Sequence, residues 1–434
     1  MLPPGPRVPP LVNALRYARD PLRFFPRVRE RHGDVFTVSF PDFKRVVYLA
    51  EPSLVRELFT GDPAQLHAGE ANATLLEPAV GPSSVLTLDD DEHLRQRKLL
   101  LPPFHGKAVE RYRDVIQAAA RRDLETWPVG EPFGMRPHTQ SITLEVILRA
   151  VFGLDDPDRF ARAHAVIGEF ARRSDALLLP RFMHRGRIGP WGRFVRAREA
   201  LDALVYDEVA LRRAQDDGDG RDDVLSLLMR ARHEDGAPLT DRELRDELVT
   251  IVGAGHETTA TALAWAVERL VRHPDAFARL RQDEDGSYAD AVIRETLRVR
   301  PVIVDVARKL TRPLTIAGYD LPAGTLVLAS ITGMHTREDL YEDATAFRPE
   351  RFLGQPPGTY EWIPFGGGVR RCLGAAFAQE EMRIVLREIA TRAQLRAANP
   401  QDERPRMRNV TIAPEHDGRV VLEVPLRAAE NPHQ

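Results

Sequence analysis

Phe365-Gly366-Gly367-Gly368-Val369-Arg370-Arg371-Cys372-Leu373-Gly374 contains the only cysteine in a chain of 434 residues. A lone cysteine is ordinarily a small buried hydrophobe, but these neighbours point to chemistry. Three consecutive glycines carry no Cβ and tolerate positive φ, so the backbone can fold closely around a flat object. Arg370 and Arg371 supply positive charge, which favours thiolate over thiol. The following stretch, Ala375 to Ala393, repeats its apolar residues with helical period. Cys372 therefore lies just before a helix N-terminus, where the dipole and free N–H groups favour an anion. A thiolate held this way is a metal ligand or a nucleophile.

The rest of the composition bounds the answer. Net charge is −3, which argues against non-specific nucleic-acid binding. Apolar residues make up 43% of the chain, enough for a large core. A single cysteine rules out an intramolecular disulfide framework and fits a reducing compartment. The N-terminal run MLPPGPRVPPLVNALRYARDP lacks the apolar core of a signal peptide. No stretch approaches the ~18 apolar residues of a spanning helix. The expectation is a soluble, cytoplasmic protein without a membrane anchor.

Period-two alternation marks strands over 34–40 and 44–49, and the segment 301–335 is strand-like, with turns at Ala317-Gly318 and Pro322-Ala323-Gly324. Residues 410–424 read as a hairpin turning at Asp417-Gly418. Most of 92–295 is helical in pattern, and the polar run QDDGDGRDD (215–223) separates helical stretches. This order suits a mainly α chain with a small β-rich subdomain. A single domain over 1–434 is expected, its β-rich part from 1–65, 301–335 and 408–425 and its helical part from 66–300 and 336–400.

A second feature is Gly253-Ala254-Gly255-His256-Glu257-Thr258, inside a helical run from about 241 to 272. Thr240 and Glu243 form a capping-box signal at its start, and His273-Pro274 ends it. Each mid-helix glycine costs roughly 1 kcal/mol relative to alanine, so something is expected to approach this backbone closely. His256-Glu257 begins the H-E-x-x-H zinc motif, but position 260 is Ala and the second ligand is missing. Glu295 and Arg298 share a helical face. His93 and Arg97 share another, a face that suits carboxylates.

The string F-x-x-G-x-R-x-C-x-G over 365–374 resembles the heme-binding loop of the cytochrome P-450 family, the heme-thiolate monooxygenases. The A-G-x-E-T string at 254–258, E-x-x-R at 295–298, the F-R-P-E-R-F run at 347–352 and H-x-x-x-R at 93–97 follow in the family's pattern. The resemblance covers essentially the whole chain. It implies heme b (iron protoporphyrin IX) between the long central helix and the Cys-loop helix. Cys372 would be the axial ligand, a role established for the family rather than derived from these residues. Phe365, Gly366, Leu373, Gly374 and Ala254 would contact the heme. Phe365 would shield the sulfur, while Arg370, His93, Arg97 and Arg308 would reach its propionates. Glu257 and Thr258 would manage protons beside bound dioxygen. Glu295, Arg298 and Arg351 would form a buried structural network.

The implied reaction inserts one oxygen atom of dioxygen into a small organic substrate. One cysteine cannot hold an iron–sulfur cluster, so electrons would come from separate proteins, a ferredoxin and ferredoxin reductase. Arg95, Lys98, Lys107 and Arg111 are candidates for their docking face. Gly253, Ala254, Val302, Ile303, Val304 and Ile412 would line a mostly apolar pocket, suited to a fatty acid, terpenoid or steroid-like ligand. Asp305 departs from that lining and is expected to point away. Segments 65–90 and 170–200 would form the lid. The rival readings are a heme-thiolate peroxygenase or isomerase needing no electron partner, and a non-catalytic heme-binding sensor. The intact Glu257-Thr258 pair disfavours both.

Overall fold

A computed structural model describes residues 2–104, 106–214 and 220–425. Two proline-led helices open the chain, α1 (Pro10–Arg19) and α2 (Pro21–His32), with proline in the first turn, where its missing N–H costs nothing. The hairpin β1 (Val35–Phe40) and β2 (Lys44–Leu49) follows, in the expected places. Next come α3 (Pro52–Thr60), β3 (Leu66–His67), α4 (Ala68–Val80), α5 (Asp90–Leu100), α6 (Lys107–Glu110) and α7 (Arg113–Leu124). After β4 (Pro132–Gly134) the chain is helical: α8 (Met135–Phe152), α9 (Pro157–Arg173), α10 (Gly189–Ala214), α11 (Val224–Arg230), α12 (Asp241–Leu270), α13 (Pro274–Arg281) and α14 (Ser287–Val299). Strands return as β5 (Asp305–Leu310), β6 (Leu314–Ile316), β7 (Tyr319–Leu321) and β8 (Leu326–Ser330), followed by α15 (Ile331–His335). The Cys loop leads into α16 (Ala375–Arg392), then β9 (Ala393–Ala397), β10 (Pro405–Arg408), β11 (Thr411–Pro414) and β12 (Arg419–Pro425).

The architecture is mainly helical with small sheets, as expected. The largest sheet has the order β1-β2-β8-β5-β3, with β2 and β8 parallel and the other pairs antiparallel. Its two faces bury different sets because side chains alternate along a strand. Val47, Leu49, Val327 and Ala329 pack with α3 and Ile363 of the Cys-loop side. Val46, Tyr48, Leu328 and Phe36 pack with Phe25 of α2 and with Ile412.

The largest apolar cluster surrounds α12, which packs along α8 and also meets α14 and α16. Its start has the predicted capping box: Thr240 accepts from the Glu243 N–H, and Glu243 accepts from the Thr240 N–H. The expected terminal hairpin is corrected. The turn at Asp417-Gly418 exists, with φ of 61° and 67°, but its flanking strands belong to different sheets. β11 pairs with β10, while β12 sits between β4 and β9. Thr411–Pro414 is buried throughout, so β11 lacks the polar face a free hairpin would present. Of the polar run 215–223, residues 215–219 lie outside the described residues. Asp223 caps α11 and pairs with buried Arg212.

Candidate heme-thiolate site

The Cys loop is shaped by contacts to α3. Gly366 and Gly368 have φ of +64° and +63°. A Cβ on Gly367 would lie 2.2 Å from the Phe59 ring, and one on Gly368 only 1.9 Å from the Phe59 carbonyl oxygen. Gly367 and Gly368 thus let the loop press onto the end of α3, while a Cβ on Gly366 would lie 3.6 Å from Val306 of β5. The loop closes where the Cys372 N–H donates to the Phe365 carbonyl at 2.9 Å, and Gly374 begins α16. Phe365 and Leu373 pack against the helical core.

Cys372 has accessible surface although protein surrounds it, so it faces an interior space. Burial pushes its thiol pKa up, opposed by the Gly374 N–H and the charges of Arg97 and Arg371. Desolvation outweighs the neighbouring cations for the free thiol, contrary to the reading from charge alone.

The middle of α12 is open where its flanks are buried. Gly253 and Ala254 are exposed, while Val252 and the run from Thr259 to Leu270 are buried. A Cβ on Gly253 would meet nothing within 4 Å, whereas one on Gly255 would lie 2.9 Å from Ile147 Cδ1 of α8. Only Gly253 therefore borders free space; Gly255 serves helix packing. The Thr258 hydroxyl donates to the Ala254 carbonyl at 2.6 Å. Glu257 turns to the other side of the helix. It is buried against α8, where it takes hydrogen bonds from Arg136 and from Gln140 Nε2, the latter at 2.7 Å. His256 is also directed at α8, 2.9 Å from the Thr143 hydroxyl, and burial lowers its pKa to about 4. The acid and alcohol adjacent in sequence are thus on different faces.

A second cavity lies between α3, α5, β5 and the Cys loop, lined in part by Phe59, His93, Arg308 and Arg370. Its cations crowd one another. Burial lowers the His93 pKa to about 3, aided by the charges of Arg370, Arg97 and Arg308. Burial and the facing Arg370 lower Arg308 to about 10, and burial lowers Arg370 to about 10 with partial relief from Asp89. Arg308 is 3% exposed, and among the described residues its guanidinium donates only to the Ala307 carbonyl at 2.8 Å. Buried donors with this much uncompensated charge call for anionic oxygen atoms. Arg370 is largely committed elsewhere: it binds Asp89 and the carbonyls of Val85 and Leu88. It ties the Cys loop to the turn before α5. A thiol facing interior space, a helix opened at its middle and a cationic cradle fit an iron porphyrin with two propionates.

Beside this site stands a network with almost no solvent exposure. Arg298 grips Glu295 through two bonds of 2.7 Å and donates to the carbonyls of His335, Ala344 and Ala346. Arg351 and the Arg348 N–H also donate to Glu295, at 3.1 and 2.8 Å. Sequence reasoning missed His335. Its Nδ1 faces the Arg298 carbonyl at 3.3 Å, and its Nε2 accepts from the Ile363 N–H at 3.1 Å. It links the network to the strand of chain entering the Cys loop, and no local pattern marks it.

Of the proposed pocket residues, Val302 and Val304 are buried and Ile303 is half-buried. Ile412 is fully buried in the sheet core; its N–H donates to the Val302 carbonyl, and its carbonyl accepts from Trp265 Nε1. It supports the 302–304 segment from behind instead of lining a cavity, because its strand is packed on both sides. Asp305 lies on the sheet face of Tyr48, the side away from Val306 and Arg308. Burial raises its pKa to about 7, opposed by a hydrogen bond with Tyr48. Among the docking candidates, Arg95 is exposed, while Lys98 pairs with Glu234 and Arg111 with Asp222. The Lys107 side chain lies outside the described residues.

The comparisons with known proteins agree. The cytochrome P450 family model matches residues 2–418. A Mycobacterium tuberculosis protein bearing the name cytochrome P450 135B1 is 44% identical over 434 residues, covering 96% of this chain and 91% of its own. Cytochrome P450 135A1 of the same species is 39% identical, covering 97% and 95%. A solved structure of retinoic acid-bound cyanobacterial CYP120A1 superposes with a TM-score of 0.85 at 25% identity, covering 98% of this chain and all of that one. The chain therefore belongs to the cytochrome P450 family, the heme-thiolate monooxygenases.

Proposed function

We propose that this chain hydroxylates or epoxidises a small apolar organic substrate in the cytoplasm, with electrons from a separate ferredoxin and ferredoxin reductase. The observation that carries this reading is the opening of α12 at Gly253 and Ala254, with the Thr258 hydroxyl one turn on and hydrophobic residues 302–304 at the start of the β5 segment. Cys372 would ligate the heme iron, and the bound heme would supply the oxygen-activating chemistry. His93, Arg97 and Arg308 would hold its propionates. Arg370 would act mainly through the turn at 85–89, keeping α5 and the Cys loop in register.

Thr258 is the residue placed to hold a proton on the open side of α12, and Glu257 is the reservoir behind it. Glu257 reaches that side only by exchanging Arg136 for another partner. Val302, Ile303 and Val304 would give the substrate an apolar wall. The solved relative holds retinoic acid, a long hydrocarbon with one carboxylate, which supports an apolar substrate class here. Of the docking candidates Arg95, Lys98, Lys107 and Arg111, Arg95 is exposed and is the first to test for contact with an acidic electron donor; exposed Arg371 is added to it here.

The test is spectroscopic first and catalytic second. The ferrous carbon monoxide complex is expected to show the red-shifted Soret band of thiolate ligation, and Cys372→Ser is expected to lose it. A normal band in Cys372→Ser removes Cys372 from the metal. Fatty acids, terpenoids and steroids are then assayed with NADPH, reductase and ferredoxin, and separately with hydrogen peroxide. Turnover that needs only peroxide overturns the electron-partner assignment.

A further inference from the structure

We propose that Arg408, at the end of β10, anchors a carboxylate on the substrate, so that this chain takes organic acids with an apolar body. The inference rests on the monooxygenase reading above and narrows its substrate class. Arg408 is half-buried, and its Nε is shut off from solvent without a hydrogen-bond partner. The same is true of Nε in Arg29, Arg136, Arg198 and Arg300, but each of those guanidinium groups has another partner. Arg29 pairs with Asp34 and Arg136 with Glu257, while Arg198 and Arg300 donate to the carbonyls of Pro78 and Val299. Among the described residues, the Arg408 guanidinium meets no carboxylate, carbonyl or aromatic ring. A cation partly desolvated and left unpaired carries a cost that an incoming anion offsets.

Its place in the fold is where a substrate passes. Met407 and its cross-strand partner Ile412 turn one face of the β10–β11 pair into the sheet core. Arg408 and its partner Thr411 project from the other face. Thr411 is fully buried, so protein covers that side too. The two-residue turn Asn409-Val410 is fastened to the end of α9. The Asn409 N–H donates to Asp175 at 2.7 Å, and its side-chain amide donates to the Ala171 carbonyl at 3.3 Å. At the other end of β11, the Ile412 N–H donates to the Val302 carbonyl at 2.8 Å. Arg408 therefore stands where the 170–200 segment, expected to form the lid, meets the apolar wall at 302–304. Val410 and Leu178 add apolar side chains with accessible surface at this junction.

Charge and shape select the ligand group. Asp175 accepts from the Asn409 N–H, and Glu415 faces Arg406 of the same strand at 3.9 Å; neither pairs with Arg408. One unpaired guanidinium balances one negative charge, which suits a carboxylate better than a phosphate dianion. Its planar fork can hold both carboxylate oxygens at once. The apolar residues beside it take the hydrocarbon body, which leaves the acid as the end held at the turn.

Titrations of the ferric, heme-loaded protein, followed in the Soret band, test this with hexadecanoic acid, abietic acid and the methyl ester of each. An acid is expected to bind about tenfold or more tighter than its ester. Arg408→Gln is expected to weaken the acid about tenfold or more and to leave the ester unchanged, and Arg408→Lys to restore part of the difference. Acids that bind no better than their esters overturn the assignment, as does an equal loss of both in Arg408→Gln. The ligand-free protein gives a second test. Arg408→Met is expected to melt at or above the wild-type temperature, because no protein group pairs with the arginine. A clear drop in its melting temperature gives Arg408 a structural role and overturns the anchor. Esters or neutral terpenoids that bind where acids do not remove the anchor and leave the monooxygenase reading standing. A wild-type carbon monoxide complex without the thiolate Soret band removes that reading itself.

Discussion

Arg136 of α8 holds Glu257 of α12 in a buried ion pair, one residue away from a threonine that faces open space. Removing one partner of a buried pair leaves an uncompensated charge, which costs roughly 3 to 5 kcal/mol. Arg136→Gln is expected to lose about 3 kcal/mol of stability in urea unfolding. Glu257→Gln added to it should recover most of that loss. A double variant no more stable than Arg136→Gln would show that the pair is not the source of the cost.

Thr258→Ala should leave folding and heme loading intact, because among the described residues its hydroxyl bonds only to the Ala254 carbonyl of its own helix. If Thr258 manages the proton, product formed per NADPH should fall about tenfold or more, the missing equivalents emerging as hydrogen peroxide. Unchanged coupling takes Thr258 out of the proton pathway.

Glu295 accepts from three residues while buried from solvent. Glu295→Ala leaves Arg298 charged and unpaired, at a cost of about 3 to 5 kcal/mol. The expected result is little soluble heme-loaded protein, with selectivity unchanged in any fraction that folds. A well-loaded variant of wild-type stability would contradict the structural role.

Burial lowers the pKa of His335 to about 3, aided by the charge of Arg298. The folded pKa lies below the unfolded value of about 6.5, so its share of stability is complete above pH 6.5 and drains away as pH falls toward 3. Between pH 6.5 and 4 the loss should be on the order of 3 kcal/mol. His335→Gln should give a flatter stability profile over that interval. Equal slopes for the two proteins would mean that His335 can be protonated without unfolding.

Asp305 has the opposite sign. Its folded pKa of about 7 lies above the unfolded value, so stability is full at low pH and is lost as pH rises through 4 to 7. Asp305→Asn removes the penalty and should gain about 2 kcal/mol more, relative to wild type, at pH 8 than at pH 4. Thermal melts at the two pH values decide it.

Features with local signals were legible in the sequence. The Thr240–Glu243 capping box, the strands at 35–40 and 44–49 and the Cys loop before α16 needed only neighbouring residues. Partner choice across distance was not legible. The strands flanking Asp417-Gly418 look like a hairpin locally, yet β12 is taken up by β4 and β9. A close approach to Gly255 was expected from its place in mid-helix, but not that the neighbour would be Ile147 of α8. Glu257 and Thr258 are adjacent in the chain, but the helical turn of about 100° per residue sends one to Arg136 and leaves the other on the open face. His335 had no sequence signal, since its role depends on bringing Arg298 and Ile363 to its two ring nitrogens.

The seat of the Cys loop on Phe59 limits how this center can be altered. Positions 367 and 368 exclude every side chain, because even a methyl group would overlap α3, and positive φ at 366 strains any replacement of that glycine. Val369 and Arg371 are exposed and carry no such restriction. Mutational adjustment around Cys372 therefore has to work through positions such as Val369, Arg371 and Gly374, the last with open space at its Cβ, and leave the glycine mount untouched.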